Sequence, residues 1–249
     1  MVSFNAPLST GGLPIIRYTA TCGSASNVGT ISPIVVAPLV NDTTYTCYVA
    51  AQNAFGVSAL STGINVTPFA AAPLVLNAVQ SRKVHQGGYV CDIPINFNAV
   101  ISGPVTVEPR SIGDGHLLVL QFNNAVQSVG NVAAFSTTGN INVVSPVING
   151  NEVYVTLGGV SNNQRVQVNL TSVSGASNVI DTTVALGYLL GDLNGSRSVN
   201  ATDIVTAKSR SNQTLSPANC AADVNLNGTI SSVDVSAVKA RSGSVLPPW

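Results

Sequence analysis

The chain has 249 residues, of which only 8% are charged, and its formal net charge is zero. A chain of this length accommodates two or three domains. The absence of a basic excess argues against nucleic-acid binding and against a polybasic membrane anchor. No apolar run approaches the roughly 18 residues of a membrane-spanning helix, so we expect no membrane insertion.

The composition favours β-structure. The sequence is rich in small polar and β-branched residues and carries 22 glycines and 13 prolines, which is typical of all-β extracellular modules. No charged and then apolar leader opens the chain. Because tandem extracellular modules imply export, we expect a fragment of a larger secreted or cell-surface protein whose signal peptide lies on a missing upstream part.

Residues 1–68 predict short strands, with the clearest patterns in segments 14–22, 32–39 and 41–56. This region resembles a bacterial fibronectin type III domain, which is a β-sandwich. Leu39 and Tyr45 resemble a tyrosine corner, in which the tyrosine hydroxyl bonds back to the backbone. The family has one more strand before Met1, so the resemblance implies that the first strand is missing and that one sheet edge is unpaired.

The four cysteines are Cys22, Cys47, Cys91 and Cys220. The fibronectin resemblance places Cys22 and Cys47 on neighbouring strands, where a disulfide is plausible in an oxidising compartment; two buried thiols are the alternative. A bond between Cys91 and Cys220 would attach the C-terminal module to the middle one. This pairing stays open, because connectivity is not readable from sequence alone.

Residues 69–73 predict a short linker, and residues 74–190 predict a second β module. Apolar and polar residues alternate in segments 89–95, 116–122, 140–144, 152–157 and 165–170, with turn signals between them. This pattern favours an immunoglobulin-like sandwich. Its last predicted strand, 182–190, runs into the next module almost without a linker, so we expect that module to pack on or close to the sandwich.

Residues 191–249 carry one pattern twice, 31 residues apart. The spacing is that of an EF-hand-type calcium loop, with oxygen ligands at positions 1, 3, 5, 7, 9 and 12. Loop one supplies Asp192, Asn194, Ser196, Ser198, Asn200 and Asp203. Loop two supplies Asp223, Asn225, Asn227, Thr229, Ser231 and Asp234. Metal-free turns are the alternative, but two loops in register favour two calcium sites.

The two loops differ at position 6, where the turn needs a left-handed backbone angle. Gly228 meets this need in loop two, whereas Arg197 stands there in loop one and adds positive charge. Side-chain charges sum to −1 for Asp192, Asp203 and Arg197 in loop one, against −2 in loop two. We therefore expect loop two to bind calcium more strongly. Aspartate at position 12 of both loops indicates a structural ion.

One short helix is predicted after each loop, at residues 202–209 and 232–241. A loop followed by a single helix, repeated, resembles a type I dockerin, whose family role is to bind a cohesin; residues 81–124 resemble a module that often precedes dockerins in bacterial exoproteins. The resemblance implies partner contacts at Ala201, Thr202, Lys208, Ser232, Val233 and Lys239. Because the two copies differ at the first two of these positions, the two faces need not bind alike.

The ends of such a module meet in the family. We therefore weigh a clasp in which Tyr188 or Leu189 stacks on Pro247 or Trp249 against a frayed terminus.

Catalysis is not expected within these residues. Glycosidases need a carboxylate pair at fixed separation, but the acids outside the loops are scattered, at Asp42, Asp92, Glu108, Asp114, Glu152 and Asp181. His85 has no cysteine or acid near it in sequence, so no zinc site is predicted. No serine stands in a nucleophile-elbow motif.

The predicted fold is mainly β, with two β-sandwich domains followed by a small α-helical module of two calcium loop-helix units. The predicted function is a non-catalytic, calcium-binding spacer and interaction region that binds a cohesin-like partner, in the setting of polysaccharide breakdown. The alternative is a rigid, calcium-stiffened stalk of an adhesin with the last module docked intramolecularly. Direct glycan binding is a third class, for which Tyr89, Tyr154 and Tyr188 are the available aromatic residues.

Overall fold

The computed structural model describes residues 1–111, 115–138 and 141–249, so the predicted positions Asp114 and Asn140 lie outside the described residues. The chain divides into two compact units, Met1–Ala71 and Ala72–Trp249. The predicted second β module and the C-terminal module therefore belong to the same unit.

Unit 1 is built from one sheet and a short second layer. The sheet runs in the order β2-β1-β3-β4, and β5 pairs with another part of β3. Its strands are β1 Arg17–Cys22, β2 Ala25–Gly29, β3 Tyr45–Asn53, β4 Gly56–Val57 and β5 Ile64–Val66. Every second residue of β1 is buried, as expected for a strand with one face on a core. A single bridge between Val2 and Ile34 lies outside this sheet.

The core of unit 1 is small and contains a disulfide. Cys22 and Cys47 face each other in the register of β1 and β3 and are bonded, which confirms this predicted pair. They pack with Tyr18, Ala20 and other buried side chains. The backbone N–H of Val40 donates to the Tyr45 hydroxyl at 2.9 Å. This is the backbone contact that the tyrosine-corner pattern predicts.

Unit 2 contains two sheets. One runs β10-β14-β15-β8 and the other β11-β13-β9-β6-β7, with β12 also on β13. The strands are β6 Leu76–Val84, β7 Val90–Ile95, β8 Thr106–Glu108, β9 His116–Phe122, β10 Asn131–Ser136, β11 Asn142–Val143, β12 Val147–Asn149, β13 Glu152–Gly158, β14 Gln164–Ser174 and β15 Val179–Tyr188. All pairings are antiparallel except that β8 runs parallel to β15.

The two sheets of unit 2 enclose one apolar core, which makes this part of the unit a β-sandwich. Alternate residues of β9 and β13 on one side, such as Leu120 and Val155, join those of β14 and β15 on the other, such as Val168 and Leu186. These residues are fully buried. The alternation that predicted the strands therefore also defines the core.

A buried ion pair anchors β8 to the sandwich. The Arg110 guanidinium donates two bonds to the Glu108 carboxylate and further bonds to the carbonyls of Cys91 and Ser81. Burial alone would raise the pKa of Glu108, but the bonds and charge of Arg110 lower it overall. Glu108 is therefore held ionised while excluded from water, because the buried guanidinium of Arg110 compensates its charge.

The C-terminal module adds the only α-helices of the described residues, α1 Ala201–Arg210 and α2 Ser232–Lys239, with a 3-10 turn at Cys220–Ala222 between them. The helices match the two predicted after the loops, whereas the 3-10 turn before the second loop was not predicted. Neither helix is long or apolar enough to cross a membrane, and the described residues hold no other candidate.

Removing the disulfide of unit 1 should destabilise that unit selectively. The double variant Cys22→Ala with Cys47→Ala is expected to lose about 2–4 kcal/mol, because the unfolded chain is no longer cross-linked. Differential scanning calorimetry should show a lower melting temperature for the unit 1 transition alone. Cys91→Ala with Cys220→Ala is the matched control and should shift only the unit 2 transition; equal effects on both transitions would contradict the prediction.

Candidate functional site

Loop one (residues 192–203) turns its acidic and amide oxygens inward. The Asp192 Oδ1 and Asn194 Oδ1 atoms both accept from the backbone N–H of Ser196, at 3.0 and 2.9 Å. At the end of the loop, Asp203 Oδ2 accepts from the N–H of Asn200 at 2.9 Å, and its Oδ1 accepts from the N–H of Asn194 at 3.2 Å. The carboxylates at positions 1 and 12 of the loop therefore both accept hydrogen bonds from backbone N–H groups of the loop.

Loop two (residues 223–234) repeats this geometry. Asp223 Oδ1 and Asn225 Oδ1 both accept from the N–H of Asn227, at 3.1 and 2.9 Å. Asp223 Oδ2 accepts from the N–H of Gly228 at 2.8 Å, and Asp234 Oδ1 accepts from the N–H of Asn225 at 3.4 Å. The sequence repeat is therefore also a structural repeat.

Position 9 of each loop caps a helix. The Asn200 side chain accepts from the N–H of Thr202 at the start of α1, and the Ser231 side chain accepts from the N–H of Val233 at the start of α2. Asp203 and Asp234 complete a capping box in each case. These polar groups satisfy N–H donors that have no partner within the helix. The roles of Asn200 and Ser231 as calcium ligands stay predictions.

Position 6 has the left-handed backbone angle in both loops. Arg197 has a φ of 66° and Gly228 a φ of 85°, and the N–H of each bonds to Oδ2 of the first aspartate. In loop two, glycine is also required by space, because a Cβ added to Gly228 would lie 2.3 Å from the Gln86 carbonyl oxygen. Arg197 therefore adopts the turn at the cost of strain, whereas Gly228 is required by both conformation and space.

The loops fit a bound cation by the environment of their carboxylates. Asp192, Asp203, Asp223 and Asp234 are all buried, and within the described ranges none pairs with a lysine or arginine. Burial raises the pKa of Asp192, and the nearby Asp203 adds to the rise. Isolated buried carboxylates are costly, so an ion between the two acids of a loop would remove this cost.

The donors suit calcium, which takes oxygen ligands only. Each loop has two carboxylates, and its other predicted ligands are amide, hydroxyl and carbonyl oxygens. Clusters of three or more histidine, cysteine or acidic side chains are absent from the described residues. If calcium is bound, these oxygens would hold it as the ligands that fix the turn.

All six predicted partner-contact residues are exposed. Helix α1 carries Ala201, Thr202 and Lys208, and helix α2 carries Ser232, Val233 and Lys239, of which Val233 is 58% exposed. The two helices are in contact with each other. An accessible face therefore exists where the resemblance predicts partner binding.

The opposite side of the C-terminal module is fused to the sandwich by a mixed apolar cluster, here called the shared core. From the sandwich it contains Val105, Val107 and Ala185, and from the module it contains Val199, Ala207, Val224, Val238 and Leu246, with Leu189 at the junction. All of these side chains are at most 5% exposed. Separating the module from the sandwich would expose them to water.

Polar contacts surround the shared core near loop two. His85 Nδ1 lies 2.7 Å from Asp223 Oδ2, with both side chains fully buried. The N–H of Gln86 donates to the Leu226 carbonyl at 2.8 Å, and the N–H of Ser111 donates to the Val224 carbonyl at 2.7 Å. This histidine contact was not predicted from the sequence, because 138 residues separate the partners.

A disulfide joins Cys91 on β7 to Cys220 in the 3-10 turn. The pairing that the sequence left open is therefore present. It tethers the C-terminal module to the edge of the sandwich.

The C-terminal segment closes the module against loop one. Ser198 and Val245 form an antiparallel bridge. Leu246 packs directly against Gly187, since a Cβ added to this glycine would lie only 2.5 Å from the Cδ2 atom of Leu246. The Arg165 Nε atom donates to the Pro247 carbonyl at 2.7 Å. The two ends thus meet, as the clasp hypothesis held.

The predicted ring stacking of Tyr188 in this clasp is wrong. The Tyr188 ring is buried and packs against His116, with ring centroids 4.2 Å apart. The side chain that closes the module is instead Leu246, which belongs to the shared core together with Leu189. Burial of Tyr188 also removes it from any exposed aromatic row.

Comparison with known proteins bears on this module. Residues 190–241 match the family model of the dockerin type I domain. The C-terminal module matches the type I dockerin family. Dockerin domains typically bind calcium, and they bind cohesin domains. The match covers about a fifth of the chain, and no curated protein and no solved structure matches the chain.

Two further acids of the sandwich have structural partners. Asp92 pairs with Arg82, and Glu152 accepts from the Tyr154 hydroxyl. Burial lowers the pKa of His116 to about 3, so this ring is neutral at physiological pH. Each of these groups therefore has a packing role in the sandwich.

Replacing the strained residue of loop one should improve calcium binding there. Arg197→Gly removes about 1 kcal/mol of left-handed strain, which corresponds to about a fivefold lower Kd, and it also removes a positive charge. Calorimetric calcium titration of an Asp223→Asn background would measure loop one alone. The reciprocal variant Gly228→Ala, in an Asp192→Asn background, should weaken loop two; improved binding there would contradict the analysis.

Proposed function

We propose that this chain is a non-catalytic, calcium-dependent interaction region in which the dockerin module binds a cohesin-like domain. The observation that carries the proposal is that the loop carboxylates are buried while the predicted partner-contact residues are exposed. The buried carboxylates of both loops turn inward without a cationic partner from lysine or arginine in the described residues, while the six family contact positions are exposed. The module thus combines an interior for calcium with a free face for a protein.

Calcium has a structural task in this proposal. Two ions bind, the one in loop two more tightly, and each is held by the twelve-residue loop that precedes a helix. Because position 12 of each loop is also the third residue of the helix, the ion and the capping box share one carboxylate. Ion binding therefore fixes the start of each contact helix.

The setting that we propose is a secreted bacterial protein engaged in polysaccharide breakdown. Two disulfides favour an oxidising compartment, and proteins with dockerin domains are typically extracellular. The fibronectin-like and immunoglobulin-like modules act as spacers that carry the dockerin module. Asp92, Glu108 and Glu152 support a non-catalytic role, because their partners are structural.

A cohesin-binding experiment tests the proposal. The full chain is measured by biolayer interferometry against a panel of immobilised cohesin domains, in calcium and in chelator. We expect binding that requires calcium and that weakens at least about tenfold in the double variant Lys208→Glu with Lys239→Glu, because charge reversal opposes a complementary surface. The two single variants would show which helix binds.

The control for this experiment is Arg17→Glu, an exposed charge reversal in unit 1, which should leave the affinity unchanged. If no cohesin of the panel binds, or if the double variant binds as tightly as the parent chain, the proposal is overturned.

A second candidate function is a rigid stalk in which the dockerin module is docked on its own sandwich. The shared core and the Cys91–Cys220 bond favour it. The docked side carries Val224 and Leu246, whereas the contact face carries Lys208 and Lys239, so docking leaves that face free. The two functions are therefore compatible, with the sandwich fixing the direction in which the helices point.

The stalk predicts that sandwich and dockerin module unfold together. Leu246→Ala should destabilise unit 2 by about 2–5 kcal/mol, because it leaves a cavity in the shared core. Val245→Ala, at an adjacent exposed position, should change stability by less than about 0.5 kcal/mol. Denaturation followed by Trp249 fluorescence and by far-UV circular dichroism should give coincident transitions for unit 2. A separate, earlier loss of the dockerin module would exclude the stalk.

A further inference from the structure

His85 lies in a tight turn that joins β6 to β7 and faces loop two. Its backbone N–H donates to the Tyr89 carbonyl at 2.8 Å, and its carbonyl accepts from the N–H of Gly88 at 2.9 Å. The Tyr89 ring stands edge-on to the imidazole at a centroid distance of 6.0 Å. The side chain is 1% exposed, so the turn holds the imidazole in one place.

The imidazole meets the first carboxylate of loop two. His85 Nδ1 lies 2.7 Å from Asp223 Oδ2, which also accepts from the N–H of Gly228, while Oδ1 accepts from Asn227. With hydrogen on Nδ1, the ring donates to this oxygen. Two groups thus contact Oδ2, one from loop two itself and one from the turn of the sandwich.

The other nitrogen of His85 is informative. The Nε2 atom is buried and has no hydrogen-bond partner in the part of the chain that the structure describes. An unsatisfied buried nitrogen costs free energy, so packing alone does not favour a histidine here. The one polar contact that the side chain makes is the bond to Asp223.

The same turn also contacts the backbone of loop two. The N–H of Gln86 donates to the Leu226 carbonyl, and the Gln86 carbonyl lies against Gly228, with no room for a Cβ. In loop one, the counterpart of Leu226 is Gly195, which has nothing within 4 Å of an added Cβ. The counterpart of Gly228 is Arg197, whose carbonyl accepts from the N–H of Leu246 in the C-terminal segment. Among the described residues, the sandwich therefore supports only one of the two loops in this way.

We propose that His85 is a positioning residue for calcium in loop two, so that this ion site is shared between the sandwich and the dockerin module. The inference rests on the proposed calcium binding and adds a partner from a different module to one of the two sites. His85 acts through Asp223 and does not touch the ion. By fixing the rotamer of the first ligand, it reduces the ordering that calcium binding requires.

The coupling acts in both directions. If the sandwich contact raises the calcium affinity of loop two, calcium in loop two stabilises the contact by the same factor. Calcium thereby strengthens the attachment of the dockerin module to the sandwich as well as its internal fold. Loop one has no equivalent contact, so calcium there acts within the module.

The test measures loop two alone in the full, disulfide-bonded chain carrying Asp192→Asn. Calorimetric titration with calcium is compared for this parent, for His85→Leu, which keeps volume but removes the donor, and for His85→Asn, whose amide keeps one. We expect His85→Leu to weaken calcium binding by about 10- to 100-fold, the usual loss when a group supporting a metal ligand is removed. His85→Asn should recover most of the affinity, and the exposed control Val84→Ala should match the parent.

A second readout uses the wild-type chain and does not depend on any variant folding. Hydrogen exchange of the backbone amides of residues 85–91 should slow at least about tenfold when calcium is added. Unchanged exchange in this turn would overturn the inference, as would equal calcium affinity of His85→Leu and the parent. If the Asp192→Asn parent binds no calcium at all, the proposed function of loop two fails together with the inference.

Discussion

The apolar surface shared by the sandwich and the dockerin module is the constraint on which unit 2 depends. On the sandwich side, this surface is formed by Val107 of β8 and Ala185 of β15. The module side chains that pack against them are Val224, Val238 and Leu246. Each buried side chain of this size contributes about 1.5–3 kcal/mol relative to exposure. A two-loop module is too small to enclose a large core by itself, so the sandwich completes it. The orientation of the contact helices follows from this packing.

Buried polar contacts also fix the position of the C-terminal module on the sandwich. Arg165 on β14 donates to the carbonyls of Ile101 and Gly103 and to the carbonyl of Pro247 in the C-terminal segment. Burial lowers the pKa of Arg165, with a smaller effect from Arg197. Apolar side chains tolerate sliding, whereas a buried guanidinium with fixed acceptors does not. Arg165 therefore favours one placement of the C-terminal segment on the sandwich over neighbouring ones.

The sequence predicted what depends on short spacing. Ligand periodicity located both loops, apolar alternation located β9 and β13, and the spacing of Leu39 and Tyr45 indicated a corner that the structure contains. Contacts between distant segments were beyond such patterns. The sequence around His85 gives no sign of its contact with Asp223. The contact of Leu246 with Gly187 is likewise visible only in the structure. Packing of the C-terminal module on the sandwich was expected from the short connection between them, but the residues that form the shared core were not predicted.

The difference between the two loops also has a structural origin. Position 6 is occupied by Arg197 where the loop faces the C-terminal segment, and by Gly228 where the loop lies under the carbonyl of Gln86. The glycine is therefore imposed by packing against the sandwich as well as by the turn. Loop two contacts the turn that carries His85 and Gln86, whereas position 6 of loop one contacts the C-terminal segment, so the two helices of similar sequence have unequal surroundings. Any approximate two-fold symmetry of the contact face consequently ends at its edges, where only one side meets the sandwich turn.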